Sequence, residues 1–183
     1  NSGNGGEIVV WSDITNDQSI TKVQGKLTAQ GGKNSGNGGQ IETSGYKLDV
    51  EGIEVSTLAN DGSAGEWLLD PASITISTSG GTTLPNSTNS GNITSVRPNT
   101  ILTGLASSNV TIYTGISGST EYDIDINDSI NYTGLNERTL TFKASGSIDT
   151  PNNDSSGNDI DITSSNAALN LIYWSDADGD GEG

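Results

Sequence analysis

Gly65-Glu66-Trp67-Leu68-Leu69-Asp70-Pro71-Ala72-Ser73-Ile74-Thr75-Ile76 is the densest apolar run in the chain, and its opening, a glycine followed by a polar and then an apolar residue, recurs upstream. Gly6-Glu7-Ile8-Val9-Val10 and Gly39-Gln40-Ile41-Glu42-Thr43 carry the same opening. These two lie in a near-verbatim repeat, Asn1-Ser2-Gly3-Asn4-Gly5-Gly6-Glu7-Ile8 and Asn34-Ser35-Gly36-Asn37-Gly38-Gly39-Gln40-Ile41, displaced by 33 residues. Self-similarity at this period indicates a solenoid, propeller or array, not one globular core.

The period continues downstream through Asn109-Val110-Thr111-Ile112-Tyr113, Thr139-Leu140-Thr141-Phe142-Lys143 and Ala168-Leu169-Asn170-Leu171-Ile172. Taking Ile8, Ile41, Trp67, Val110, Leu140 and Leu169 as equivalents gives steps of 33, 26, 43, 30 and 29 residues. Short runs with β-branched residues, bounded by Gly, Asn and Asp, read as strands: Glu7–Trp11, 19–23 and 26–29, then 40–43, 46–50 and 53–57. The spacing predicts one all-β solenoid over residues 1–183, a parallel β-helix of about six coils with three short strands each.

Within Trp67–Ile76, Asp70-Pro71 predicts a bend or break, because proline brings no ladder donor. Residues 77–98, rich in Ser, Thr, Gly and Asn with two prolines, read as a loop insertion that accounts for the long step. The winding is expected to resume at Ile101-Leu102. Asn1 opens inside a repeat copy, so the chain is expected to be a segment of something longer.

The composition is thin for a large compact core: 30% hydrophobic, 5% aromatic, and 25 glycines. A solenoid removes the difficulty, because each coil is completed by the coils above and below it. Seven basic against 23 acidic residues give a formal charge of −16, which opposes nucleic acid and anionic membranes as partners. There is neither cysteine nor histidine, so no disulfide framework exists and the commonest general base and transition-metal ligand are missing. No apolar run is long enough to insert in a membrane.

Four constellations carry possible chemistry. Asp123/Asp125 and Asp159/Asp161 alternate with isoleucines, either as a glycosidase-type carboxylate pair or as the solvated face of strands whose isoleucines point inward. Asp176-Ala177-Asp178-Gly179-Asp180-Gly181 matches the opening of a calcium loop, which makes Asp176, Asp178 and Asp180 candidate ligands and calcium the candidate cofactor. Asn86, Asn92, Asn109, Asn127, Asn131 and Asn153 open sequons, several of which chance alone supplies in so Asn-, Ser- and Thr-rich a chain. Trp67 and Trp174 are suited either to stacking on sugars or to filling the core. Arg97 and Arg138 are the only arginines, too few for lyase chemistry, and no enzyme activity is expected.

The run Asn34-Ser35-Gly36-Asn37-Gly38-Gly39-Gln40-Ile41-Glu42-Thr43-Ser44-Gly45-Tyr46-Lys47-Leu48-Asp49-Val50, followed by Gly65–Pro71 and Ile74-Thr75-Ile76, resembles the filamentous-haemagglutinin-like exoproteins of Gram-negative two-partner secretion. The resemblance is densest over residues 34–76. It implies a right-handed parallel β-helix that forms part of a long rod, exported through an outer-membrane transporter and displayed or secreted for cell adhesion. Its partner would be a cell-surface receptor or glycan. Two other readings stand beside it: a carbohydrate-binding or carbohydrate-cleaving β-helix, and a filament subunit that self-associates through open coil ends.

Overall fold

In a computed structural model that describes residues 2–79, 94–115, 122–154 and 156–181, the chain winds into a parallel β-solenoid of about five turns. The first coil holds β1 (Glu7–Trp11), β2 (Ile20–Lys22) and β3 (Gly25–Thr28), and the second holds β4 (Gln40–Gly45), β5 (Lys47–Asp49) and β6 (Ile53–Ser56). The third runs through β7 (Glu66–Pro71), β8 (Ile74–Ile76), β9 (Thr94–Val96) and a helix, α1 (Pro98–Leu105). The fourth and fifth return to three strands: β10 (Asn109–Thr114), β11 (Ile124–Ile126), β12 (Ile130–Tyr132), then β13 (Arg138–Ala144), β14 (Ile148–Asp149), β15 (Ile162–Ser164). A sixth turn begins with β16 (Leu169–Trp174).

The first strand of every coil joins one six-stranded parallel sheet, ordered β1-β4-β7-β10-β13-β16. Strand alternation sends one half of each strand inward. Ile8, Ile41, Trp67, Val110, Leu140 and Leu171 form one inward column in register, and Leu69, Ile112, Phe142 and Tyr173 stand in a second. Trp67, Leu69, Val110, Ile112, Leu140 and Phe142 are wholly buried. The ladder corrects the expected equivalence of Leu140 with Leu169, since Leu171 stands opposite Leu140 and Leu169 opposite Arg138. Alternation looks the same after a shift of two residues, so it fixes the face and not the register.

The repeated Asn-Ser-Gly-Asn-Gly-Gly motif is the corner before the first strand. Asn4 Oδ1 accepts the Asn37 N–H at 2.9 Å, and Asn37 Oδ1 accepts the Ser63 N–H at 3.0 Å, an asparagine ladder from coil to coil. Glycine follows because backbones stack there directly: a Cβ on Gly39 would lie 1.9 Å from the Gly6 carbonyl oxygen.

The third coil departs from the expected plan in three ways. β7 runs through to Pro71, and the turn falls at Ala72-Ser73 instead of at Asp70-Pro71. A proline in the last strand position forfeits a single ladder donor. Thr94–Val96, expected to be loop, forms β9 and pairs in parallel with β8. β9 also meets β5 through the Leu48 N–H, which the Thr94 hydroxyl accepts at 3.0 Å. Ile101-Leu102, where the winding is expected to resume, lies in α1, where Pro98 presets the first turn and Ile101 and Leu105, four apart, are buried together. The helix lies flat on the Trp67 indole, so close that a Cβ on Gly104 would be 2.6 Å from it.

These insertions wedge the stack open. Between β5 and β11 one face carries two strands, β9 and β8, where the six-stranded sheet has only β7 between β4 and β10. On the third face α1, whose diameter is about two strand spacings, lies between β6 and β12. The six-stranded sheet is therefore the face on which successive coils stack most closely.

Candidate binding groove

The outward half of each first strand faces solvent on the outer surface of the six-stranded sheet, and five consecutive rungs build a groove of about 240 Å³ there. β1 contributes Glu7, and β4 contributes Gln40 and Glu42. β7 supplies Glu66 and the floor residue Leu68; β10 and β13 add Thr111, Tyr113 and Lys143. Ladder register brings them side by side: Glu7, Gln40 and Glu66 share one column, while Glu42, Leu68 and Thr111 share the next.

The polar groups of the groove are held by their neighbours. Glu42 Oε1 accepts the Ser44 hydroxyl at 2.6 Å, and Glu66 accepts the Thr111 hydroxyl. The Lys143 ammonium lies 4.8 Å from the Tyr113 ring centroid and 4.6 Å from that of Trp174, a distance at which the ring face attracts a cation.

Beside the groove, Asp70 follows Leu68 on the outward face of β7 and stands opposite Ser44. Its Oδ1 is sequestered from solvent and accepts no hydrogen bond. Burial pushes its carboxyl up to about 7, with the Glu42 carboxylate adding to the shift and the Lys143 ammonium opposing it. Burial also raises the Tyr113 phenol, reinforced by the charges of Asp70 and Asp178.

The residues singled out from sequence are dispersed. Asp125 lies on β11, opposite Thr75 and Asp149, whereas Asp161 is adjacent to β15 on another face, where its N–H donates to Ser129 Oγ at 2.9 Å. The two aspartate pairs therefore do not converge. Burial raises the Asp125 carboxyl; the Thr75 hydroxyl donated at 3.3 Å lowers it, and Asp123 and Asp149 raise it further. Trp67 is core, its indole N–H donating to Thr43 Oγ1 at 3.1 Å, while Trp174 is half exposed against Lys143.

Both arginines serve the fold. Arg97 pairs with Glu51 at 2.6 Å. Arg138 is buried, and its guanidinium donates to the Leu105 carbonyl at 3.0 Å and the Ala106 carbonyl at 3.4 Å, placing positive charge where the α1 dipole ends. Among the sequon asparagines, Asn109 Oδ1 accepts the Thr139 N–H at 3.0 Å and Asn131 Oδ1 accepts the Thr163 hydroxyl at 2.7 Å, so both act as inter-coil ties. Asn86 and Asn92 lie outside the described residues.

Asp176, Asp178 and Asp180 do converge, with one carboxylate oxygen from each within 4.8 Å of the others. Asp176 takes a positive φ of 49°, and its Oδ1 accepts the Gly181 N–H at 3.1 Å, which curls the loop. An all-oxygen set of this kind suits a hard cation such as calcium.

The groove residues Glu42, Glu66, Tyr113 and Lys143, and Asp70 beside them, were not singled out as functional by sequence reasoning. Their signal was present in the outward half of the alternation, as polar and aromatic residues recurring at coil spacing. No family model matches the chain, and no curated protein matches it in sequence.

Proposed function

We propose that this chain is a scaffold segment of an extracellular bacterial rod that mediates cell adhesion, without catalysis of its own. The observation that carries this reading is the state of the two end rungs. β16 exposes Leu171 and Tyr173 inward and Ile172 and Trp174 outward, while β1 presents Ile8 and Val10 inward and Val9 and Trp11 outward. An open coil that shows core residues along an unpaired strand edge calls for another coil on top of it. The resemblance to filamentous-haemagglutinin-like exoproteins supplies the rest of the proposal: export through an outer-membrane transporter, display at or release from the surface of a Gram-negative cell, and a receptor or glycan as partner.

Beads coated with the purified chain are expected to attach to target cells, and soluble chain to compete them off. Attachment equal to that of beads carrying an unrelated acidic protein would refute the adhesive role. A second reading, filament assembly, draws on the same rungs, because Ile172 over Val9 and Trp174 over Trp11 match in kind if a second copy stacks head to tail. Sedimentation distinguishes it: a species that lengthens with concentration supports assembly, and a monomer at every concentration rejects it.

A further inference from the structure

The groove across the outer surface of the six-stranded sheet is built mostly from outward side chains, with Ile41 the one core residue in its lining. From Glu7 on β1 to Lys143 on β13 it crosses five rungs, or four strand spacings, about 19 Å at ~4.8 Å each. Its lining crosses the rungs obliquely, from the column of Glu7, Gln40 and Glu66 through that of Glu42, Leu68 and Thr111 to that of Tyr113 and Lys143, a course suited to an extended ligand.

Its chemistry narrows the ligand further. Glu7, Glu42 and Glu66 are acceptors, joined by the Gln40 amide and the Thr111 hydroxyl, so the occupant must bring many donors. Among the described residues the only acidic trio whose oxygens converge is the Asp176 loop, so the groove carboxylates are spread too widely to enclose one cation. Spread acceptors fit a series of hydroxyl groups. Leu68 on the floor and the Tyr113 ring offer apolar surface for the C–H faces of sugar rings. The acidic wall repels uronates and sulfated chains, while the apolar surface of Leu68 and Tyr113 suits a ring with C–H faces better than a flexible cationic side chain.

We propose that this groove binds a neutral oligosaccharide of several units, laid obliquely across the rungs, with Glu42 and Glu66 accepting from its hydroxyls and Leu68 supporting a ring. The inference rests on the proposed adhesive role for its choice of a glycan as partner, but not on the rod. A groove of this kind works whether or not further coils stack on the ends, and binding in solution is read apart from attachment to cells. The Asp70 carboxyl beside it keeps its proton to about neutral pH, which lowers the negative charge next to the ligand below that point.

The test is calorimetric titration of the full chain with unsubstituted hexose tetramers and hexamers, oligouronates and oligolysine. Variants are a Glu42→Gln, Glu66→Gln pair, Leu68→Lys to fill the channel, and Lys26→Ala on another face as control. Binding of a neutral oligosaccharide that weakens at least tenfold in the double variant, disappears with Leu68→Lys and persists in Lys26→Ala is the expected result. Thermal unfolding of each variant, followed in parallel, confirms that the solenoid is retained; should the double variant unfold, Leu68→Lys alone decides. No binding by any neutral oligomer, binding indifferent to the groove variants, or preference for oligouronate or oligolysine would overturn the proposal.

Discussion

The Trp67 indole N–H donates to the Thr43 hydroxyl at 3.1 Å, a buried hydrogen bond that ties the second coil to the third from inside the solenoid. Trp67 has no solvent exposure, so water offers no substitute acceptor. Thr43→Val keeps the shape and removes that acceptor, and is expected to cost ~1–3 kcal/mol, the penalty of an unsatisfied buried donor. Thr43→Ser keeps the hydroxyl and gives up a methyl, for a loss nearer ~0.8 kcal/mol. Denaturant midpoints of the two variants provide the comparison.

Leu140 sits wholly buried between Val110 and Leu171, while its neighbour Thr141 points outward. Leu140→Ala is expected to cost ~2–5 kcal/mol and Thr141→Ala within ~0.5 kcal/mol. Equal losses in chemical denaturation would contradict the inward assignment of this column.

Asp70 makes stability depend on pH with a definite sign. Its carboxyl is held at about 7 in the folded chain against an ordinary 3.8, so the unfolded chain gives up this proton first as pH rises. The folded state then binds more protons than the unfolded one, and stability falls between about pH 4 and pH 7, by at most ~1.4 kcal/mol for each pH step of one crossed in that window. Asp70→Asn, which carries no charge to desolvate, is expected to flatten this decline and to unfold at higher temperature than the parent at about pH 8. Melting temperatures of both proteins from about pH 4 to pH 8 are the measurement; parallel curves would show that Asp70 ionises freely in the folded chain.

The Asp176 loop is proposed to bind calcium weakly. Its three carboxylates repel one another in the free loop, and a hard cation relieves the repulsion while fixing the turn at Gly181. A Kd in the range typical of extracellular modules, ~10⁻⁴–10⁻³ M, is expected from calorimetric titration, with the heat abolished in Asp178→Ala. Identical traces from both proteins would reduce the loop to a solvated acidic turn.

Much of this architecture was legible in the sequence because a solenoid repeats the same local problem. The Asn-Ser-Gly-Asn-Gly-Gly corners mark where backbones stack without room for a Cβ, and Ile8, Ile41, Trp67, Val110 and Leu140 recur one coil apart as an inward column. The close of residues 77–98 was harder to read. β9 takes its ladder bonds from β8 rather than from its own sequence, and α1 is recognised by Pro98 with Ile101 and Leu105, a short pattern in a chain otherwise governed by alternation.

The sequence by itself determined which face of the strands points in and where the glycine corners fall, because two-residue alternation and corner glycines are local properties. The tertiary structure alone decided which coils' residues meet. The partner of Leu140 is Leu171 and not Leu169, and Asp125 is separated from Asp161 by a change of face, although both choices preserve the alternation. The groove depends on the same decision. Glu7, Glu42, Glu66, Tyr113 and Lys143 come from five different coils, and their approach is set by the ladder register, which no single stretch of sequence contains.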